Sequence, residues 1–300
     1  MDAADTVVDL QTTLGAHVVA RDVVRVAGPE AIGYLQGQLS QDVQGLAVGA
    51  SARSFVLQPT GKVDAWVRVN RTDEDEVILD VDGGHGEALV ARLRRFLLRT
   101  KAEVTPLAWR CVALRGPGAT RAATAAVADR DVLALPAGWP GIDGADLLGP
   151  EAEVPEGVPE VDVAAYESAR LRAGVPALGA ELTERTIPAE AGRWVIDASV
   201  SFTKGCFTGQ ELVARIDSRG GNVPRTLRVV HAPGGELVAG ASLVAADREV
   251  GTVTSAAPAP GGGTVGLGYV RRGVPSPADA EAHVDGTSVA VRLVDGPGAS

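Results

Sequence analysis

Cys206 is one of two cysteines in the 300 residues, and its neighbours suit thiol chemistry. It lies in Lys204-Gly205-Cys206-Phe207-Thr208-Gly209-Gln210-Glu211, with a cation two residues upstream and an amide and a carboxylate downstream. A free thiol has a pKa of about 8.5 and is mostly protonated at neutral pH. A nearby ammonium favours the thiolate, the form that attacks electrophiles and binds metal. Residues two apart in an extended segment face the same side, so Lys204 is expected beside Cys206 as its activating charge. The bland alternative is a buried cysteine acting as a small hydrophobe, and the polar cluster weighs against it. Cys111 takes the bland reading, because Trp109-Arg110-Cys111-Val112-Ala113-Leu114 reads as a strand. The run 210–215 after the motif suits either a helical turn or a strand.

Composition narrows the function classes. Twenty-eight basic and 38 acidic residues give a net charge of −10. That argues against sequence-independent coating of nucleic acid or of an anionic membrane. Two cysteines build neither a disulfide framework nor an all-protein zinc or iron–sulfur site, so no metal ligand set is expected. The histidines (His17, His85, His231, His283) are scattered and give no sequence support for a Cys–His pair. The start, Met1-Asp2-Ala3-Ala4-Asp5, leads into no apolar core like that of a signal peptide, and no apolar run spans a bilayer. A cytoplasmic protein with reduced thiols is expected. Gly261 to Gly266 matches G-x-G-x-x-G literally but opens no helix, so it reads as a turn. Thr60-Gly61-Lys62 lacks the rest of a P-loop, and neither H-E-x-x-H nor G-x-S-x-G occurs.

The elements that must position Cys206 follow from periodicity. Strands are predicted at 23–26, 52–57, 63–69, 77–81 and, as one or two, over 104–114, with helices at 30–39 and 86–100. The turn Gln58-Pro59-Thr60-Gly61-Lys62 joins two of these strands as a hairpin. The order matches the ferredoxin-like plan. Arg92, Arg95 and Arg99 form a stripe on the second helix, read as a solvated face with an anion contact as the alternative. Residues 116–159 show weak periodicity. A helix is predicted over 164–173, stopped by Gly174-Val175-Pro176. From 227 onward, short β runs alternate with Gly/Pro turns, which indicates a small all-β barrel beginning near Pro224.

The octapeptide, with Ala214-Arg215 and Asn222-Val223-Pro224-Arg225, resembles the signature of the YgfZ-type folate-binding proteins. These are relatives of the glycine-cleavage T-protein and of mitochondrial iron–sulfur assembly factors. Weaker matches occur at Gly28-Pro29-Glu30 through Gln38 with Asp42-Val43, at Tyr166 through Pro176, and at Gly251–Ser255 with Gly266–Val270. The resemblance implies an α+β fold. Residues 1–225 would form two ferredoxin-like subdomains, split near 115, around a folate cavity, and 226–300 a C-terminal β-barrel. It implies tetrahydrofolate or a one-carbon derivative as cofactor, and iron–sulfur enzymes, tRNA-modifying ones included, as clients. Cys206 matches the cysteine on which that role is thought to depend. A lone thiol holds a cluster only transiently and with ligands supplied from outside.

For the folate, Tyr166 is the candidate to stack on the pterin, and Arg172, with Arg170, Arg99 and Lys101, the candidate for the glutamate tail. Asp64, Gln210 and Glu211 complete the candidate cofactor-binding set. One departure is informative. T-proteins carry paired aspartates after the glycine turn, and here the pair is Ala65-Trp66 with Asp64 offset by one. A one-residue offset in a strand reverses the face, which disfavours aminomethyl transfer. Alternation then puts Asp64 and Trp66 on one face. Three readings stay open: an iron–sulfur accessory factor using Cys206, a one-carbon transferase or demethylase acting on a small amine with Asp64 as base, and a binding module in which Cys206 packs.

Overall fold

The computed structural model describes residues 7–128, 130–284 and 286–297, so the acidic start at 1–5 lies outside the described residues. In chain order the elements are β1 (Gly15–Val19), β2 (Arg21–Ala27), α1 (Ala31–Gln38), β3 (Ser51–Leu57), β4 (Val63–Asp73), β5 (Glu76–Asp82), α2 (Gly86–Arg95) and β6 (Glu103–Leu107). There follow β7 (Arg110–Arg115), α3 (Ala119–Ala126), β8 (Leu133–Pro136), β9 (Gly144–Gly149), α4 (Val163–Arg172), α5 (Arg193–Ser199) and α6 (Gln210–Ser218). The last strands are β10 (Arg225–Ala232), β11 (Ser242–Ala245), β12 (Arg248–Pro258), β13 (Thr264–Arg271), β14 (Ala278–Val284) and β15 (Thr287–Asp295).

The first sheet runs β3-β4-β5-β2-β6, antiparallel throughout. It has one strand more than the six-element ferredoxin-like plan. Its outer face buries Val24, Val26, Val67, Val69 and Leu79 under Tyr34 and Leu35 of α1 and Leu89 and Leu93 of α2. The second sheet, β1-β7-β9-β8, packs Val112, Leu114 and Leu147 against Ala119 and Ala123 of α3. The inner faces of the two sheets meet where Val23 and Ile78 touch Cys111, Leu135 and Leu148. Cys111 is buried there and burial pushes its thiol up to about 12, so it packs and does not react.

The two sheets divide between Leu107 and Arg110 rather than near 115, and β1 returns from the start of the chain to pair with β7. The run 104–114, read as one or two strands, is two, and they lie in different sheets. The helix predicted over 86–100 stops at Arg95, with Arg99 held at φ 63° in the loop beyond. Strands β8 and β9 and helix α3 fill the stretch of weak periodicity; short, Ala- and Gly-rich elements carry little hydrophobic pattern. The barrel is closed, in the order β10-β13-β12-β11-β14-β15, and its first strand starts at Arg225. Its alanine-rich strand β14 had no sequence signal. Leu171 of α4 packs on Leu227, Val229 and Leu267 and so ties the barrel to the rest. Among the described residues no helix is long and apolar enough to cross a membrane.

Candidate functional site

The loop bearing Cys206 runs between α5 and α6 and crosses the C-terminal end of α1. That end exposes carbonyls with no partner inside the helix. Lys204 supplies one: its ammonium donates to the carbonyls of Gln36 (2.6 Å), Leu39 (2.7 Å) and Gln41 (2.8 Å). The Thr208 N–H donates to the Gly37 carbonyl at 3.1 Å, fixing the other side of the loop. The Phe207 N–H donates to Oε1 of Gln210, the first residue of α6, at 3.1 Å. Gly209, at φ 78°, turns the chain into α6 and lies so close to the β3–β4 hairpin that a Cβ there would collide with the Gln58 carbonyl. Gly61 in that hairpin, at φ 82°, is the reciprocal contact, since a Cβ on it would meet Leu212 Cβ at 2.5 Å and the Gly209 carbonyl at 2.9 Å.

Cys206 therefore sits exposed on a loop braced at both ends. The expected pairing of Lys204 with Cys206 is not formed. The segment is not a strand, and all three ammonium donors go to the end of α1. Burial lowers the Lys204 pKa to about 8, with Asp42 acting in the opposite sense. Gln210 braces the loop and Glu211 lies in solvent. The run 210–215, undecided from sequence, is the start of α6.

A second feature lies where the two sheets meet α4 and the segment after it. It is a small cavity of about 50 Å³ whose walls include Trp66, Trp139, Tyr166, Arg53, Arg115 and Asp146. Tyr166 is stacked on His17 with centroids 5.1 Å apart and tilted against Trp139 at 5.2 Å. The Arg115 guanidinium lies 4.1 Å from the Trp139 ring centre. Burial raises the Tyr166 phenol to about 12, so it is neutral at pH 7. Of the residues predicted to contact the folate, Tyr166 and Arg170 line this cavity, and Arg170 is already paired with Glu167 and Glu181.

Arg172 points elsewhere, to Asp9 at 2.7 Å and Gln11 at 2.6 Å. Asp64 and Trp66 do not share a face. A bulge leaves Asp64 unpaired opposite the Val56–Leu57 step, and this breaks the period-two alternation. Asp64 emerges on the helix side, where Arg92 of α2 donates to it at 3.1 Å. Trp66 faces inward and its indole N–H donates to Ser199 Oγ at 2.9 Å. Trp139, Arg53, Arg115 and Asp146 had no sequence signal, because the cavity draws its walls from segments far apart in the chain. Arg92, placed in a stripe with Arg95 and Arg99, also donates to Gln38 and to the Leu57 carbonyl.

No protein-family model matches the chain. It is 28% identical over 200 residues to an uncharacterized protein of Haemophilus influenzae, covering 67% of each. It is 27% identical over 222 residues to a mitochondrial iron–sulfur cluster assembly factor IBA57 homologue of Mycosarcoma maydis, covering 68% of this chain and 54% of that protein. The glycine cleavage system aminomethyltransferase T of Bartonella henselae has the same fold, with a TM-score of 0.78 at 21% identity over 95% of this chain and 86% of that one.

Proposed function

We propose, because this chain belongs to the T-protein-like superfamily that includes the YgfZ- and IBA57-type assembly factors, that it is an accessory factor in the assembly or repair of iron–sulfur enzymes. The observation that carries the reading is Cys206, an exposed thiol on a loop whose neighbours brace it from both sides. As a transient ligand or redox group, that thiol offers one coordination position. The remaining ligands come from the client, a second copy or a small thiol. tRNA-modifying iron–sulfur enzymes are among the clients, and the chain's acidity fits a role exercised through the enzyme rather than on RNA. A reduced thiol at this position requires a reducing compartment, the cytoplasm.

Tetrahydrofolate or a one-carbon derivative is the cofactor of this reading; the side chains around the inner cavity have the chemistry for its ring, and at about 50 Å³ the cavity would take the ring only with its walls moved apart. Trp139 and Tyr166 offer aromatic faces, Asp146 offers acceptors for an amino edge, and Arg115 Nε is buried without a hydrogen-bond partner. Bound folate would supply a reduced ring or a one-carbon unit. Tyr166, Trp139 and Asp146 would orient it, and the packed sheets around them exclude water. Aminomethyl transfer is a poor match: Trp66 occupies the place of the paired carboxylate, and Asp64 is tied to Arg92 on the far side of β4.

The test is Cys206→Ser. The variant is expected to unfold at the wild-type temperature, since the side chain is exposed, yet to leave client iron–sulfur enzymes under-matured in a strain lacking the wild-type protein. Full complementation by Cys206→Ser would remove the thiol from the mechanism.

A further inference from the structure

The same inner cavity carries an imbalance that a neutral pterin ring does not correct. Arg21 pairs with Asp80 and Asp82, Arg68 with Asp80 and Asp146, Arg115 with Asp146, and Arg170 with Glu167 and Glu181. Arg53 stands apart from these. Among the described residues no carboxylate pairs with it, and its one hydrogen bond is from Nη2 to the Ala137 carbonyl at 3.1 Å. Its guanidinium lies 4.7 Å from the Trp66 ring centre, which leaves the planar edge available on the cavity side. Burial, then Arg68 and Arg21, lower its pKa to about 10, so at neutral pH it is a cation held against the preference of its surroundings. On the same cavity Arg115, only 2% exposed, holds an Nε–H that donates to nothing. A guanidinium presents five N–H donors in a fork that matches a carboxylate. An orphaned buried donor, on the same cavity as a cation that Asp80 and Asp146 favour only from a distance, is costly until an acceptor arrives.

We infer that Arg53 and Arg115 form a binding site for a small planar oxyanion, of the size and charge of formate. An anion of that size suits a cavity of about 50 Å³ as it stands. The carboxylate would take N–H groups of Arg53 on one side and the free Nε–H of Arg115 on the other, with Trp66 and Trp139 closing its flat faces. The inference shares its cavity with the folate reading but does not rest on it, because it needs only the two guanidinium groups.

Thermal unfolding of the full chain in sodium formate, against sodium chloride of equal ionic strength, tests it. Formate should raise the unfolding temperature with the logarithm of its concentration once above its dissociation constant, by roughly 5 °C at a hundredfold excess. Arg53→Met should lose that response while keeping or exceeding the wild-type temperature without formate, since an unpaired buried cation is gone. An equal rise in chloride, or a formate response that survives in Arg53→Met, overturns the inference. If Arg53→Met does not fold, titration of wild-type tryptophan fluorescence with formate decides, because Trp66 and Trp139 line the site: a saturable change supports it and a linear or absent one overturns it. Folate binding is measured on the same proteins. Folate bound equally by wild type and Arg53→Met, with no formate response in either, sinks this inference and leaves the folate reading standing. A formate response without folate binding does the reverse.

Discussion

Lys204 is the cation nearest Cys206 in the sequence, and its chemistry is spent on the backbone. Burying an ammonium is unfavourable, which is why its pKa falls to about 8. Its folded pKa lies below the unfolded value of about 10.4, so its own titration makes the folded state less stable below pH 8 than above pH 10. Three carbonyl acceptors and the negative end of α1 offset that cost. The exchange fixes where the chain passes just before Cys206. Lys204→Met keeps the stem but leaves three carbonyls without their donor. We expect a loss of about 2–4 kcal/mol, read as a lower unfolding temperature, together with faster proteolysis between α5 and α6. A variant with unchanged stability and an unchanged cleavage pattern would show that Lys204 does not hold the loop.

At the scale of elements, the loop is held by backbone approaching backbone. Gly61 in the β3–β4 hairpin and Gly209 before α6 press on each other, both with positive φ. An added methyl at either position meets strain in the left-handed region and a collision as well. Gly61→Ala and Gly209→Ala should each cost about 2 kcal/mol. The double variant should cost less than the sum, because both relieve one contact by the same displacement. Strict additivity in denaturant melts would argue that the two glycines act separately. The hairpin turn, helix α4 and the onset of the barrel were legible because turn residues and periodicity agree there. The bulge at Asp64 was not, because one extra residue leaves no mark on composition and yet exchanges the faces of Asp64 and Trp66. The path of Lys204 was equally hidden. The extended reading assumed a strand, and the partner that captures the ammonium is a helix end more than 160 residues earlier in the chain.

For the whole molecule, the decisive feature is a chain of buried charges between the sheets. Asp80 of β5 accepts from Arg21, Arg68 and Asn70, and Arg68 of β4 reaches across to Asp146 of β9, which also accepts from Arg115. No periodicity reveals this network, since each charge reads locally as a polar interruption in a strand; only the sheet pairing brings them together. Burial alone would raise the Asp146 carboxyl, but Arg115 and Arg68 outweigh it and hold it at about 2, and Arg68 and Arg21 hold Asp80 lower still. A carboxylate whose folded pKa lies below its unfolded value contributes stability that is complete above the unfolded pKa of about 3.9 and is lost as pH falls through the folded one. The fold should therefore weaken between about pH 4 and pH 2, with Asp146 supplying about 2 kcal/mol of the loss. Asp146→Asn at neutral pH removes the carboxylate while leaving Arg68 and Arg115 buried, and should cost about 3–5 kcal/mol. Its acid limb in denaturant melts should also be flatter than the wild-type limb. If the wild-type and Asp146→Asn curves run parallel from pH 5 to pH 2, Asp146 does not carry the acid dependence, and the union of the two sheets rests on the apolar contact of Val23 and Ile78 with Cys111 and Leu148.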